Sequence, residues 1–262
     1  MDFMPSVAGA DPYLPPAGVC ISGAAGAIGS AVVRRFTSEG LLVVAVDSSE
    51  TVYDLAREVG SLCEPVQADI LTAEGGHAVS SCLLDIGGVD HVIAIAGGAL
   101  AEELGARDPM DVDPYLFGRS IEVNLTSAWS FVRATLPGLR KRGTANRSIT
   151  FCSSRNAVAG HGLFAYSAAK AGLLGLMNPL AVSLGREGIR VNAVLPGQIA
   201  TPRAVELHGE ATHFTDIAAR SSLGLLATEQ DCAEAFWALT TLKMVTGETL
   251  LVDAGAHIWR SH

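Results

Sequence analysis

The sequence predicts an α/β fold: one doubly wound domain with a mostly parallel sheet and helices on both of its faces. Two observations carry this. From Gly18 onward, short apolar runs alternate with longer amphipathic ones, and repeated strand-then-helix order gives parallel strands joined by right-handed crossovers. The apolar runs are also continuous in Val, Ile, Leu and Ala, without polar alternation, as in strands covered on both sides. Composition agrees, because hydrophobic residues make up 49% of the 262, charged ones only 17%, and the 28 glycines are spread throughout with no linker between two halves.

Taken in order, residues 1–17 read as a flexible arm, rich in Pro and small residues and lacking the basic start and continuous apolar stretch of a signal peptide. A single domain is expected over 18–262. VCISG (19–23) and LLVVAVD (41–47) are buried strands, separated by a helix from Ile28 to Gly40. Helices follow from Val52 to Gly60 and from Gly76 to Ile86, then the strand HVIAIAG (91–97). One long helix is expected from Tyr115 to Arg142, with Arg140, Lys141 and Arg142 placed where cations meet the negative end of the helix dipole. SITFCSS (148–154) is the next strand. The helix from Phe164 to Arg186 contains Pro179, and because Leu173, Leu176, Leu180 and Leu184 keep their spacing through it, a kink is expected there, not an end. IRVNAVLPG (189–197), a helix from Glu229 to Thr241 and ETLLVDAG (248–255) complete the pattern.

Several function classes are excluded on charge and composition. The net charge is −9 and no basic cluster exceeds Arg140 to Arg142, which argues against nucleic acid. No stretch approaches the ~18 consecutive apolar residues of a membrane span. The five cysteines, at 20, 63, 82, 152 and 232, are odd in number, scattered and without a Cys-x-x-Cys pair, so neither disulfides nor a metal site is expected, and reduced thiols in the cytoplasm are the default.

The first strand runs into SGAAGAIGSAVVRRF. Glycines 23, 26 and 29 make a small-residue turn that opens a helix, allowing backbone N–H groups and the helix N-terminus to approach a pyrophosphate. Asp47 ends the second strand, where a carboxylate accepts hydrogen bonds from both ribose hydroxyls of NAD and repels the 2′-phosphate of NADP. The alternative for Asp47 is a turn or cap residue before Ser48 and Ser49. In FAYSAAKAGLLG (164–175), Tyr166 and Lys170 lie one helical turn apart on one face. A lysine in so apolar a helix is kept for a reason, and its ammonium lowers the pKa of a neighbouring phenol from its ordinary ~10.

These motifs resemble the short-chain dehydrogenase/reductase family, compact single-domain branch, with a Rossmann-like fold, from Gly18 to about Gly255. SGAAGAIG is similar to the family's Thr-Gly-x-x-x-Gly-x-Gly loop, with Ser22 for the threonine and Ala27 at the middle glycine. The resemblance implies cofactor contacts from Gly23, Ala27, Ile28 and Gly29. It also implies that Asp69 and Ile70 meet the adenine, and that Pro196, Ile199 and Thr201 meet the nicotinamide carboxamide. Ala94-Ile95-Ala96-Gly97 stands where the family has Asn-Asn-Ala-Gly, so only backbone contact from Ala96 and Gly97 carries over and the bracing asparagine side chains are lost.

The catalytic roles come from the same resemblance. Tyr166 is the acid/base toward a carbonyl oxygen, and Lys170 tunes it and binds the nicotinamide ribose. A serine at the end of the 148–154 strand polarises the carbonyl, Ser154 counted outward from the strand or Ser153 counted back from Tyr166; Ser154 is preferred, since a deletion is easier in the following loop. Asn124 holds a water in a proton relay with the lysine, or is a helix-kink or interhelical hydrogen-bonding residue. Asn192 is read as structural. Arg155, His161 and Phe164 lie on the loop between serine and tyrosine and are candidates to face substrate, the alternative for His161 being an ordinary loop histidine; residues 203–223, with His208 and His213, occupy the place of the substrate lid. The implied protein is an NAD-dependent oxidoreductase interconverting a secondary alcohol and a ketone, a homotetramer or homodimer built through its two long apolar helices. The alternatives are an inactive nucleotide-binding sensor or scaffold of the same fold, and an epimerase or dehydratase of the family's longer branch.

Overall fold

A computed structural model describes residues 18–159, 163–208 and 211–258; the expected N-terminal arm and His161 lie outside them. The first half runs β1 (Gly18–Ser22), α1 (Ala27–Ser38), β2 (Leu42–Asp47), α2 (Thr51–Val59), β3 (Cys63–Gln67), α3 (Ala73–Asp85) and β4 (His91–Ala94). The second runs α4 (Pro114–Ile121), α5 (Ser127–Arg142), β5 (Arg147–Cys152), α6 (Phe164–Gly185) and β6 (Ile189–Pro196), then α7 (Pro202–His208), α8 (Ala211–Ala219), α9 (Glu229–Thr241) and β7 (Thr249–Val252). The strands form one sheet in the order β3-β2-β1-β4-β5-β6-β7, and each neighbouring pair is parallel. The order reverses between β1 and β4, where Ser22 is in register with both Val46 and Ala94.

Two cores flank the sheet. Phe131, Leu139, Leu173 and Met177 pack on one face and Val32, Phe36, Leu239 and Phe236 on the other. Each such side chain contributes roughly 1.5–3 kcal/mol on burial. At the amino end of the strands, the buried Asp90 carboxylate accepts the Gly18 N–H at 3.0 Å and pairs with the buried Arg142 guanidinium at 3.1 Å.

Three elements differ from the sequence expectation. CEPVQ is a strand although it carries Glu, Pro and Gln, because it lies at the sheet edge, where polar side chains and proline are tolerated. Helix α3 begins at Ala73, capped by the Thr72 hydroxyl accepting the Gly75 N–H, one turn before the expected Gly76. The expected helix from Tyr115 to Arg142 is divided by a π-helical turn at Glu122–Thr126, where the Ser127 N–H reaches back five residues to the Glu122 carbonyl. Helix α6 continues through Pro179 to Gly185.

The start of α6 is held from a distance. Its N-cap, Leu163, is in the left-handed region (φ 52°) and supplies no side-chain cap. Glu103, 1% exposed, fills that role: its Oε1 accepts the Tyr166 N–H at 2.9 Å, and its Oε2 accepts the Ser120 hydroxyl at 2.9 Å. A carboxylate here satisfies an orphan N–H and meets the positive end of the helix dipole.

Glu103→Ala leaves the Tyr166 N–H and the Ser120 hydroxyl buried without their acceptor. Urea unfolding is expected to show a loss of about 2–4 kcal/mol, with a smaller loss for Glu103→Gln, which keeps an acceptor oxygen. A loss for Glu103→Ala no larger than that of a surface substitution contradicts the capping role.

Candidate active site

The cleft begins at the glycine turn. Gly23 has φ 66°, and a Cβ there would stand 2.7 Å from the Ala96 nitrogen; a Cβ on Gly29 would stand 2.0 Å from the Gly23 carbonyl oxygen. Both positions therefore need glycine, since the turn is pressed between the end of β4 and the first turn of α1. Helix α1 has Gly26 at its N-cap, with no side-chain cap, so its leading N–H groups stay available to an anion. Ala27 and Ile28 line the cleft beside them.

Asp47 joins this turn to the end of β2. Its Oδ2 accepts the Ala25 N–H at 2.9 Å and its Oδ1 the Ser49 N–H at 3.0 Å. It is half-buried on the cleft wall. Asp69 and Ile70 form the wall beyond β3, with Asp69 Oδ1 accepting the Leu71 N–H at 2.9 Å.

Where the family has its bracing asparagines, the bracing comes from elsewhere. The Ser22 hydroxyl oxygen accepts the Ile95 N–H at 3.2 Å and the Ala96 N–H at 3.4 Å. Asn124, fully buried in the π-helical turn, accepts the Gly98 N–H at 2.8 Å and donates to the Gly98 carbonyl at 3.0 Å and the Ser120 carbonyl at 3.1 Å. Both amide hydrogens are spent on backbone, so the side chain clamps the loop after β4. A Cβ on Gly97 would stand 2.6 Å from the Asn124 Oδ1, which requires glycine under the clamp.

At the end of β5 the chain meets α6. The Lys170 ammonium, 3% exposed, donates to the Cys152 carbonyl at 2.9 Å, and the Ser153 hydroxyl donates to the Lys170 carbonyl at 2.8 Å. The Ser154 hydroxyl oxygen accepts the Asn156 N–H at 3.1 Å, and its side chain is the hydrogen-bonding neighbour of the Tyr166 phenol. The two serines thus have separate partners: Ser153 faces backbone and Ser154 faces the phenol.

The electrostatics differ from the sequence reading. Burial pushes the Tyr166 phenol up to about 12, with the Ser154 hydrogen bond pulling it down and Cys152 and Glu103 adding to the rise. Burial also lowers the pKa of Lys170, opposed by the neighbouring Cys152. The Lys170 Nζ lies 5.6 Å from the centre of the Tyr166 ring, against its face. In the protein alone, desolvation and not the lysine charge dominates the phenol.

Further along, a Cβ on Gly197 would stand 2.6 Å from the Asp253 Cβ, so β6 ends tightly against the segment after β7. Pro196, Ile199 and Thr201 line the cleft, and the Thr201 hydroxyl accepts the Ala204 N–H at 3.1 Å as α7 begins. The cleft encloses about 790 Å³ at the carboxyl ends of the strands, beside the reversal between β1 and β4, where doubly wound sheets bind their ligands. Arg155 lines it, as do Ser154, Tyr166 and Lys170; Phe164 and His213 are not among its lining residues. Asn192 bridges β6 to the chain before β7, donating to the Val245 carbonyl at 2.9 Å and accepting the Glu248 N–H at 3.1 Å.

Sequence reasoning missed Glu103 and the bracing by Ser22. Glu103 lies in a loop without periodicity, and its partners Ser120 and Tyr166 are 17 and 63 residues away, so no local pattern marks it.

The uncapped start of α1, the glycines that a Cβ would block and the carboxylate at the end of β2 together fit a dinucleotide. Comparison with known proteins agrees. A family model described as "Enoyl-(Acyl carrier protein) reductase" matches residues 23–257. The chain is 32% identical over 241 residues to the cis-4-hydroxycyclohexanecarboxylate dehydrogenase of Sinomonas cyclohexanicum, covering 90% of this chain and 94% of the relative. Among solved structures, a short-chain dehydrogenase/reductase family oxidoreductase from Burkholderia thailandensis superposes with a TM-score of 0.82 at 33% identity, covering 93% of this chain and 94% of the other. The 3-ketoacyl-(acyl-carrier-protein) reductase of Brucella melitensis, solved in complex with NADH, gives 0.81 at 27% identity, covering 93% and 99%. The chain belongs to the short-chain dehydrogenase/reductase family, oxidoreductases that act on CH–OH groups with a nicotinamide cofactor.

Proposed function

We propose that the protein interconverts a secondary alcohol and a ketone with NAD(H), using Tyr166 as the acid/base. The observation that carries this reading is the meeting of Tyr166, Lys170 and Ser154 on one wall of the dinucleotide-sized cleft, with the Lys170 Nζ 5.6 Å from the centre of the Tyr166 ring. The compounds named in two similar proteins, a hydroxycyclohexanecarboxylate and a ketoacyl carrier protein, share a carbon that bears a hydroxyl or a ketone.

The dinucleotide, when bound, supplies the hydride. Gly23, Ala27, Ile28 and Gly29 hold its pyrophosphate through backbone and helix dipole. Asp69 and Ile70 flank the adenine, Ala96 and Gly97 offer backbone, and Pro196, Ile199 and Thr201 sit at the nicotinamide end. Ser154 orients the substrate oxygen. Tyr166 donates its proton to that oxygen in reduction and takes it back in oxidation. Burial keeps the phenol protonated and ready to donate; the Lys170 ammonium, one helical turn away, stabilises the phenolate that donation leaves. Asn124 positions the Gly97–Gly98 backbone against the cofactor through its clamp.

Asp47 carries the cofactor choice. Its carboxylate oxygens each accept one backbone N–H and keep further acceptor capacity for ribose hydroxyls, while its charge opposes a 2′-phosphate. Assembly into a homotetramer or homodimer is supported by exposed apolar side chains on the long helices, Trp129 on α5 and Val182 on α6. The free cysteines support a reducing, cytoplasmic setting. The two short helices α7 and α8 supply the lid over the substrate end.

Fluorescence titration is expected to show NADH binding at least roughly tenfold more tightly than NADPH, a difference of about 1.4 kcal/mol; equal affinities contradict the role of Asp47. Tyr166→Phe is expected to keep its NADH affinity while turnover falls by roughly 10²–10⁴. Near-normal turnover in that variant removes Tyr166 from the proton-transfer role.

A further inference from the structure

We propose that Arg155 forms an anion subsite beside the reacting carbon, and that the substrate is an oxo or hydroxy acid whose carboxylate pairs with it. This rests on the alcohol–ketone reading above. Arg155 directly follows Ser154 and opens the short 3-10 turn Arg155–Ala157 on the cleft wall. Its Nε is buried and has no hydrogen-bond partner, and among the described residues its side chain enters no ion pair.

Arg142 and Arg190 each also bury one unpartnered guanidinium nitrogen, but their remaining nitrogens are used within the fold. Arg190 donates through its terminal nitrogens to the Leu239 and Thr240 carbonyls and to Asn146, and Arg142 is paired with Asp90. Those guanidinium groups hold elements together; among the described residues no such bond is seen from the Arg155 side chain. An N–H donor removed from water and left unpaired is a cost to the fold, and a ligand acceptor that fills the position removes it. The guanidinium fork matches a carboxylate in two parallel hydrogen bonds.

The rest of the wall limits the substrate. Leu100, Leu104, Leu163 and Ala204 line the same cleft and offer the substrate apolar contact beside the polar Asn156 and Gln198. The nearby buried carboxylate, Glu103, is already spent on the Tyr166 N–H and the Ser120 hydroxyl. Because the anion-binding and carbonyl-orienting residues are adjacent in sequence, the carboxylate and the carbonyl belong on one skeleton of modest length.

The test uses the NADH-loaded protein in two arms. Calorimetric titration compares hexanoate with hexanamide, a pair equal in length and differing in charge. Hexanoate is expected to bind roughly 10- to 100-fold more tightly, the usual worth of a charged hydrogen-bonded pair. Arg155→Gln is expected to bring the ratio near one, and Arg155→Lys to restore part of it. The turnover arm compares acetoacetate, levulinate and longer methyl-ketone acids with their methyl esters, the acids expected to show the higher kcat/KM by a similar factor. Equal binding of hexanoate and hexanamide by the wild-type protein overturns the subsite without reference to any variant. A preference that survives in Arg155→Gln overturns it too, as does a variant that loses NADH affinity and keeps the acid preference, which assigns Arg155 to the cofactor. If hexanoate is preferred but no ketone is reduced, the subsite stands and the alcohol–ketone reading falls. If ketones are reduced but acids no faster than esters, the reverse holds.

Discussion

The site depends on one exchange of hydrogen bonds between β5 and α6. The Lys170 ammonium donates to the Cys152 carbonyl, and the Ser153 hydroxyl donates back to the Lys170 carbonyl. A buried ammonium is expensive, so this lysine position is tolerated only where backbone oxygen meets it. The exchange fixes the height of α6 on the strand, which sets Tyr166 one turn earlier against Ser154. Glu103 fixes the same helix from its start. Close packing fixes its depth, since a Cβ on Gly172 would stand 2.7 Å from the Leu125 Cδ2 of the π-helical turn. The alanines and glycines of FAYSAAKAGLLG thus read as the condition for bringing α6 this near its neighbours.

A second consequence concerns charge. Burial disfavours the charged form of both Tyr166 and Lys170, one pKa rising and the other falling. Proximity alone therefore does not make the phenol acidic, because the ammonium lies against the ring face and its hydrogen bond goes to Cys152. The cleft holds two groups whose ionisation responds to whatever charge enters it, and a nicotinamide ring carries a positive charge when oxidised and none when reduced. On this account the proton affinity of Tyr166 follows the oxidation state of the bound dinucleotide.

The architecture was legible because parallel strands covered on both faces demand continuous apolar runs, and those runs stand out against amphipathic helices. The placement of the glycine turn, Asp47 and the Tyr166–Lys170 pair on the cleft was legible for a related reason: each position follows from local spacing. What escaped notice lacks local spacing. β3 is an edge strand whose Glu, Pro and Gln mimic a loop, and the π-helical turn at Glu122–Thr126 adds one residue to a helix with no change in composition. Ser22 was placed as a stand-in for threonine, but its bracing of Ile95 and Ala96 is a contact across more than seventy residues. The contacts of Glu103 and the unpartnered Arg155 Nε exist only in three dimensions. The choice between Ser153 and Ser154 was open in the sequence because a loop deletion shifts the count by one; the structure gives the two hydroxyls different partners.

The central claim is that Tyr166 is a proton-transfer group governed by the cofactor in this cleft. It is tested most directly by titrating the phenol by carbon-13 NMR, with labelled tyrosine and Tyr166→Phe to assign the resonance, in the free protein and in the protein saturated with NAD+. The account predicts a phenol that titrates near 12 in the free protein and about two or more units lower with NAD+ bound, as a positive charge nearby stabilises phenolate. A Tyr166 phenol that titrates at the same pH with and without NAD+ contradicts it.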